Sequence, residues 1–245
     1  IDGDISITGD STDRDGVAIE FDAEVLSTGT ANIEINGTSS GVDGVAVAGA
    51  FVTSMTAGNI TITGTGTGGN DPDADGVFMD EATISTHGSG NILITGTASV
   101  DGNDGVDLFF DTLIQSTSSN MDAGTITIIG TSGTQSVPGE APDGVDINEG
   151  SVVTSVSGNI VIITAIMDGD DGVDIDFGGM VESTGTGPNA ATITITGTAA
   201  AGADDGVDID DFGSVASVDG DILITGISAD ETGVDLSTPM APIPS

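Results

Sequence analysis

The chain has 245 residues and a formal charge of −39, set by 40 acidic residues against one basic residue, Arg14. That balance excludes docking on a nucleic-acid backbone, which needs Lys and Arg to neutralise phosphate, and it sets the chain against any anionic membrane surface. The absence of Cys excludes disulfides and thiolate metal sites, and aromatics at 3% leave a core assembled from many small Ile, Val and Leu layers.

One phrase, with close variants, recurs eight times: a turn, then Ile-x-Ile-Thr-Gly, a variable loop, Asp-Gly-Val-x-apolar, and a short Val/Ile-rich run ending in Ser. The spacing averages about 31 residues, enough for three short strands and three turns in one coil of a solenoid. In chain order, each coil opens on a small polar residue: Asp4, Asn32, Asn59, Asn91, Asn159 and Asp221 form this column, whose side chains suit hydrogen bonds to the turn. The first strand follows. Its second Ile falls at Ile7, Ile35, Ile62, Ile94, Ile128, Ile162, Ile195 and Ile224. Period-two alternation, as in Ile60-Thr61-Ile62-Thr63, sends Ile inward and Thr outward and rules out a helix. Loop length then varies, as in Gly64 to Asp75 against Gly9 to Asp15, which marks one solvent-facing rim. The second strand starts at Val17, Val45, Val77, Val106, Val145, Val173, Val207 and Val234.

This pattern predicts an all-β fold, a single-stranded parallel β-helix of about eight coils with three short strands per coil, right-handed by the crossover preference of parallel strands. A β-sandwich has turns at similar spacing but does not require corresponding residues to recur in register throughout. The β-helix is expected to run over residues 1–238, with 239–245 a Pro-rich tail or linker. No apolar run is long enough to span a bilayer.

Equivalent residues of successive coils stack at about 4.8 Å, so a sequence column becomes a physical ladder. Asp15, Asp43, Asp75, Asp104, Asp143, Asp171 and Asp205 precede the Val of the second strand by two residues, and Asp107, Asp146, Asp174, Asp208 and Asp235 follow it. Stacked carboxylates repel by roughly 1 kcal/mol per neighbouring pair in water and by more where solvent is excluded. Ca²⁺, which takes six to eight oxygens, is the natural compensation. The expected ligands are these two columns together with Asp13 and Asp73 of the Asp-x-Asp-Gly loops. The competing reading is that Asp precedes Gly because it favours the turn.

The outward face of the first strand carries Thr61, Thr63, Leu93, Thr95, Thr127, Ile129, Val161, Ile163, Thr194, Thr196, Leu223 and Thr225. A flat Thr and aliphatic strip on so acidic a molecule is a candidate self-association face. Thr-x-Thr ladders also resemble those of ice-binding β-helices, although Leu, Val, Ile and Glu interrupt the array. Catalysis is not expected. General bases and anion clamps draw on His, Lys, Arg or Tyr, and only His87 and Arg14 are present, in different repeats. The acid pairs Asp170-Asp171, Asp204-Asp205 and Asp210-Asp211 belong to the repeat rather than to one unique site, so a polysaccharide-acting enzyme is the least favoured reading.

Phrases such as Gly58-Asn59-Ile60-Thr61-Ile62-Thr63-Gly64-Thr65 and Asp104-Gly105-Val106-Asp107-Leu108 resemble the repeats of very large bacterial surface and secreted β-helix proteins, the filamentous-haemagglutinin-like adhesins and their relatives. That resemblance covers all eight repeats. It implies an extracellular or cell-surface location on a bacterium and a role in attachment or in building a filament or surface layer. The acidity fits a saline or calcium-rich setting, an archaeal halophile included. The expected partners are further copies of the chain, laterally or end to end, with glycans or a cell surface as the adhesin alternative, and neither nucleic acid nor membrane insertion.

Overall fold

The computed structural model describes residues 3–68, 74–99, 103–133, 142–164, 170–200 and 204–237. They form a parallel β-solenoid in which each of the first seven coils adds one strand to each of three sheets, and the eighth adds described strands to the first two. The first sheet stacks eight strands, from Ile5–Ser11 and Ile33–Ser39 through to Ile222–Ile227. The second sheet also stacks eight, from Val17–Glu20 to Val234–Leu236, and the third stacks seven, from Glu24–Ser27 to Ser214–Ser217. Every pairing is parallel, and the repeat phrase sets the register directly: Ile60 faces Ile33 on one side and Ile92 on the other, and Thr61 lies between Glu34 and Leu93. Residues 239–245 and Asp73 lie outside the described residues.

The alternation works as read. In Ile60–Gly66 every second residue from Ile60 is buried, and the intervening Thr61, Thr63 and Thr65 face outward. One cluster runs the length of the coil stack from Val17 to Ile209, composed of Ile, Val, Leu, Ala and a single Met, Met79. Each strand contributes only two core side chains in the first and second sheets and one in the third, about 1.5–3 kcal/mol of burial per side chain, so stability accumulates along the axis rather than in one centre.

The corner between the first and second sheets depends on glycine. A Cβ on Gly64 would lie 1.8 Å from the carbonyl oxygen of Gly76 in the same coil, and the same overlap recurs at Gly37 against Gly44 and at Gly96 against Gly105. Two backbones meet there with no room for a side chain. Coil six departs from the pattern, with Thr164 standing opposite Gly130 in the register. There the ladder to coil seven ends at Ile163↔Thr196, and the N–H of Thr198 donates to Thr164 Oγ1 at 3.0 Å.

The corner between the second and third sheets bends through left-handed backbone in seven coils. The residues are Phe21 and Asp22, Gly49, Glu81, Phe110 and Asp111, Glu149 and Gly150, Phe177 and Gly178, Asp211 and Phe212. Left-handed φ costs a bulky residue about 1–2 kcal/mol, and Gly49 shows that the corner does not require one. All seven phenylalanines lie outside the buried core: Phe78 and Phe109 sit on the outer face of the second sheet with their rings 6.3 Å apart, and Phe21, Phe51, Phe110, Phe177 and Phe212 are exposed.

Candidate metal centre and contact face

The polar column that opens each coil is a hydrogen-bond ladder. The N–H of Asn32 donates to Asp4 Oδ1 at 2.8 Å, that of Asn59 to Asn32 Oδ1 at 2.9 Å and that of Asn91 to Asn59 Oδ1 at 2.9 Å. The turn aspartates are wired in the same way. The N–H of Asp75 donates to Asp43 Oδ1, that of Asp104 to Asp75 Oδ1, that of Asp171 to Asp143 Oδ1 and that of Asp205 to Asp171 Oδ1, at 2.6–2.9 Å. Thr232 continues the series onto Asp205 Oδ1 at 2.8 Å. Each carboxylate therefore caps the turn of the next coil, which is a sufficient reason for Asp at this position. Asp75→Ala should leave the Asp104 N–H without its acceptor and cost about 1–2 kcal/mol, whereas Asp75→Asn, which keeps the oxygen, should cost less than about 0.5 kcal/mol. Thermal melts of both variants check this, and equal losses would remove the capping role.

Capping uses one oxygen and leaves the charge in place. The second acidic column lies on the outer face of the second sheet, three residues past the turn, and in register it reads Ala18, Ala46, Phe78, Asp107, Asp146, Asp174, Asp208, Asp235. Only from coil four onward do two acid columns stand side by side. Five groups of carboxylates converge there, each with one oxygen per residue within 4.8 Å of the others: Asp75, Asp104 and Asp107; Asp143, Asp170 and Asp171; Asp146, Asp174 and Asp176; Asp171, Asp174 and Asp208; Asp205, Asp208 and Asp235.

Ten of the fourteen residues expected as ligands from the sequence fall in these groups. Asp13 is exposed, and Asp15 and Asp43 stay on the capping ladder, Asp15 Oδ1 accepting the Asp43 N–H at 3.3 Å; none of the three joins a group among the described residues. Asp170 and Asp176 are added. Asp176 was visible as the second acid of Val173-Asp174-Ile175-Asp176, since period two places both carboxylates on one face of the strand.

The electrostatics of the cluster oppose ionisation. Burial first, then neighbouring acids, raise Asp104, Asp107 and Asp143 well above the usual carboxylate range. Burial and the Asp146 charge push Asp174 up to about 9. Asp146 rises to about 8, against a hydrogen bond that Asn148 Nδ2 donates to its Oδ2 at 2.5 Å. Asp171 rises to about 8, Asp176 to about 7 and Asp208 to about 6, in each case chiefly through burial. An oxygen-only donor set of this density suits a hard divalent cation, and the groups are positioned to hold a metal ion.

The first sheet presents the other feature. Its outward columns read Thr61, Leu93, Thr127, Val161, Thr194, Leu223 and Thr63, Thr95, Ile129, Ile163, Thr196, Thr225 in consecutive coils. A third column adds Thr65, Thr97 and Thr131. From coil three to coil eight no described residue of this face is charged. His87 is exposed and pairs through Nδ1 with Thr117 Oγ1 at 2.8 Å, and no described helix is long and apolar enough to cross a membrane. No protein-family model matches the chain, and no curated protein or solved structure matches it either; what the structure itself establishes is a parallel β-solenoid repeat protein with clustered acids on one face.

Proposed function

We propose that the chain is an extracellular structural repeat protein, stabilised by Ca²⁺ on its second sheet and assembling with further copies of itself into a filament or surface layer through the outer face of its first sheet. The observation that carries this reading is the uncharged face. On a molecule of charge −39, six consecutive coils present flat rows of Thr, Leu, Ile and Val with no charged residue. Two copies meeting on any acidic face repel, while two meeting here bury apolar surface without desolvating a charge. The repeat's resemblance to filamentous-haemagglutinin-like bacterial surface proteins supports the location. An oxygen-only acid cluster favours Ca²⁺ over softer metals, and Ca²⁺ is available outside cells.

Attachment is the second reading. It is favoured by the exposed Phe21, Phe110, Phe177 and Phe212, which occupy strained left-handed corners where glycine would serve the fold better.

Negative-stain microscopy and light scattering of purified protein in millimolar calcium test the assembly. Filaments or sheets are expected for the native chain. Ile129→Asp combined with Ile163→Asp, both on the outer face, is expected to leave single rods with unchanged far-UV circular dichroism. Native protein that remains as monodisperse rods in calcium would overturn the proposal.

A further inference from the structure

Four of the five acid groups are not independent. Asp171 belongs both to the group with Asp143 and Asp170 and to the group with Asp174 and Asp208; Asp174 also belongs to the group with Asp146 and Asp176; Asp208 also belongs to the group with Asp205 and Asp235. The group Asp171, Asp174 and Asp208 thus shares one member with each of the other three. All of these residues lie in coils five to eight, at a rise of about 4.8 Å per coil.

A second observation, separate from the clustering, concerns the lone pairs. The Oδ1 atoms of Asp146, Asp174, Asp176 and Asp208 are shut off from solvent and accept no hydrogen bond from the described residues, and the same holds for the amide oxygen Asn148 Oδ1. Asn148 has turned its amide nitrogen to Asp146 Oδ2 and left that oxygen without a donor. Desolvated acceptors without donors cost free energy, and protein networks normally satisfy them. Five such oxygens on three neighbouring coils are donors suited to cations that take oxygen ligands from carboxylates and a neutral carbonyl together.

We propose that the turn and outer face of the second sheet over coils five to eight bind a linked set of divalent cations, in which Asp171, Asp174 and Asp208 each bridge a central ion to one of its neighbours. The proposal rests on the calcium part of the function proposed above and gives it a location and a stoichiometry. A carboxylate bridges by offering one oxygen to each ion. The four groups comprise nine carboxylates, so four divalent ions leave a single negative charge uncompensated. Sharing makes binding cooperative, because an ion that fixes Asp174 for one group also orders it for the next. Toward coil one the column carries no acid at Ala18, Ala46 and Phe78, and the group of Asp75, Asp104 and Asp107 shares no member with the other four.

Those alanines supply the test, since the fold already accepts Ala at this column. Native protein, Asp174→Ala and Asp235→Ala are each dialysed against Ca²⁺, and bound calcium is counted. Asp174 is shared by two groups and Asp235 belongs to one. Asp174→Ala is therefore expected to lose about two equivalents and the cooperativity of the isotherm, and Asp235→Ala about one equivalent. Asp13→Ala, exposed and outside every group, is expected to bind as the native chain does. Far-UV circular dichroism confirms that each variant is folded. Equal losses from Asp174→Ala and Asp235→Ala, or a native isotherm without cooperativity, would overturn the bridged set. That failure is distinct from failure of the assembly: protein that binds the linked ions but stays as single rods sinks the filament, whereas protein that assembles in calcium with independent ions sinks only the bridging.

Discussion

Metal-free protein is expected to melt about 10–20 °C lower at pH 8 than at pH 5, and saturating Ca²⁺ is expected to abolish or reverse that order. The sign follows from the raised carboxyls. Asp146, Asp171 and Asp174 sit at about 8 to 9 in the fold, and Asp176 and Asp208 at about 7 and about 6, against 3.8 for an ordinary Asp. Between the ordinary value and these raised values the folded chain holds more protons than the unfolded one, so stability falls as pH rises across that window. At pH 5 the five carboxyls are neutral in the fold and their repulsion is absent. By pH 8 most have been forced to ionise beside one another, or the fold gives way.

Each unit of displacement corresponds to about 1.4 kcal/mol before screening, and solvent and counter-ions cut that to a net loss of about 5 kcal/mol for the set. A chain of this length shifts its melting temperature by about 2–4 °C per kcal/mol. Calcium acts oppositely. It binds the ionised form, displaces the protons and stabilises by mass action, strongly at pH 8 and little at pH 5. Calorimetry or far-UV circular dichroism with chelator and with millimolar calcium at both pH values reads the result, the absence of Trp and Tyr leaving little fluorescence to follow. A chelated protein as stable at pH 8 as at pH 5 would remove the acid cluster as an energetic feature of the fold.

The solenoid was legible because its two periods are both in the sequence. The alternation in Ile60-Thr61-Ile62-Thr63 sets which side chains enter the core, and recurrence of the whole phrase sets which residues stack; the observed pairing Ile33↔Ile60↔Ile92 is that recurrence in space. The acid site was legible only in part. A column such as Asp15, Asp43, Asp75 is visible in one dimension, but a cation needs two columns side by side. The second is absent from coils one to three, where Ala18, Ala46 and Phe78 stand, so Asp15 and Asp43 cap turns while Asp171 and Asp205 also cluster. Asn148 escaped notice because a neutral amide carries no charge signal, although its oxygen is shut off among the acids. The phenylalanine corner was illegible for a different reason. Left-handed backbone at Phe21, Phe110, Phe177 and Phe212 runs against the local preference of Phe.

The fold's least tolerant positions are expected to be glycines rather than core isoleucines, and Gly64→Ala should cost about 3–5 kcal/mol. Trimming a core Ile leaves a cavity that neighbouring coils can partly fill. Adding one methyl at Gly64 places it 1.8 Å from Gly76 O and 2.8 Å from Val77 Cγ2, and neither strand can retreat. Gly64 is fixed in the first sheet between Gly37 and Gly96, and Gly76 is tied to the next coil by its N–H donating to the carbonyl of Asp104 at 3.0 Å. Where Thr164 takes the glycine position, the pairing to the next coil within the first sheet stops at Ile163. Gly29, exposed and with nothing within 4 Å of a built Cβ, is the matched control, and Gly29→Ala should be neutral within about 0.5 kcal/mol. Melting curves at pH 5, where Asp146, Asp171, Asp174, Asp176 and Asp208 are neutral, isolate the steric cost. A Gly64→Ala protein that melts with the Gly29→Ala control would show that the corner has slack, and the exclusion of side chains there would no longer explain why Gly follows Ile-Thr in coil after coil.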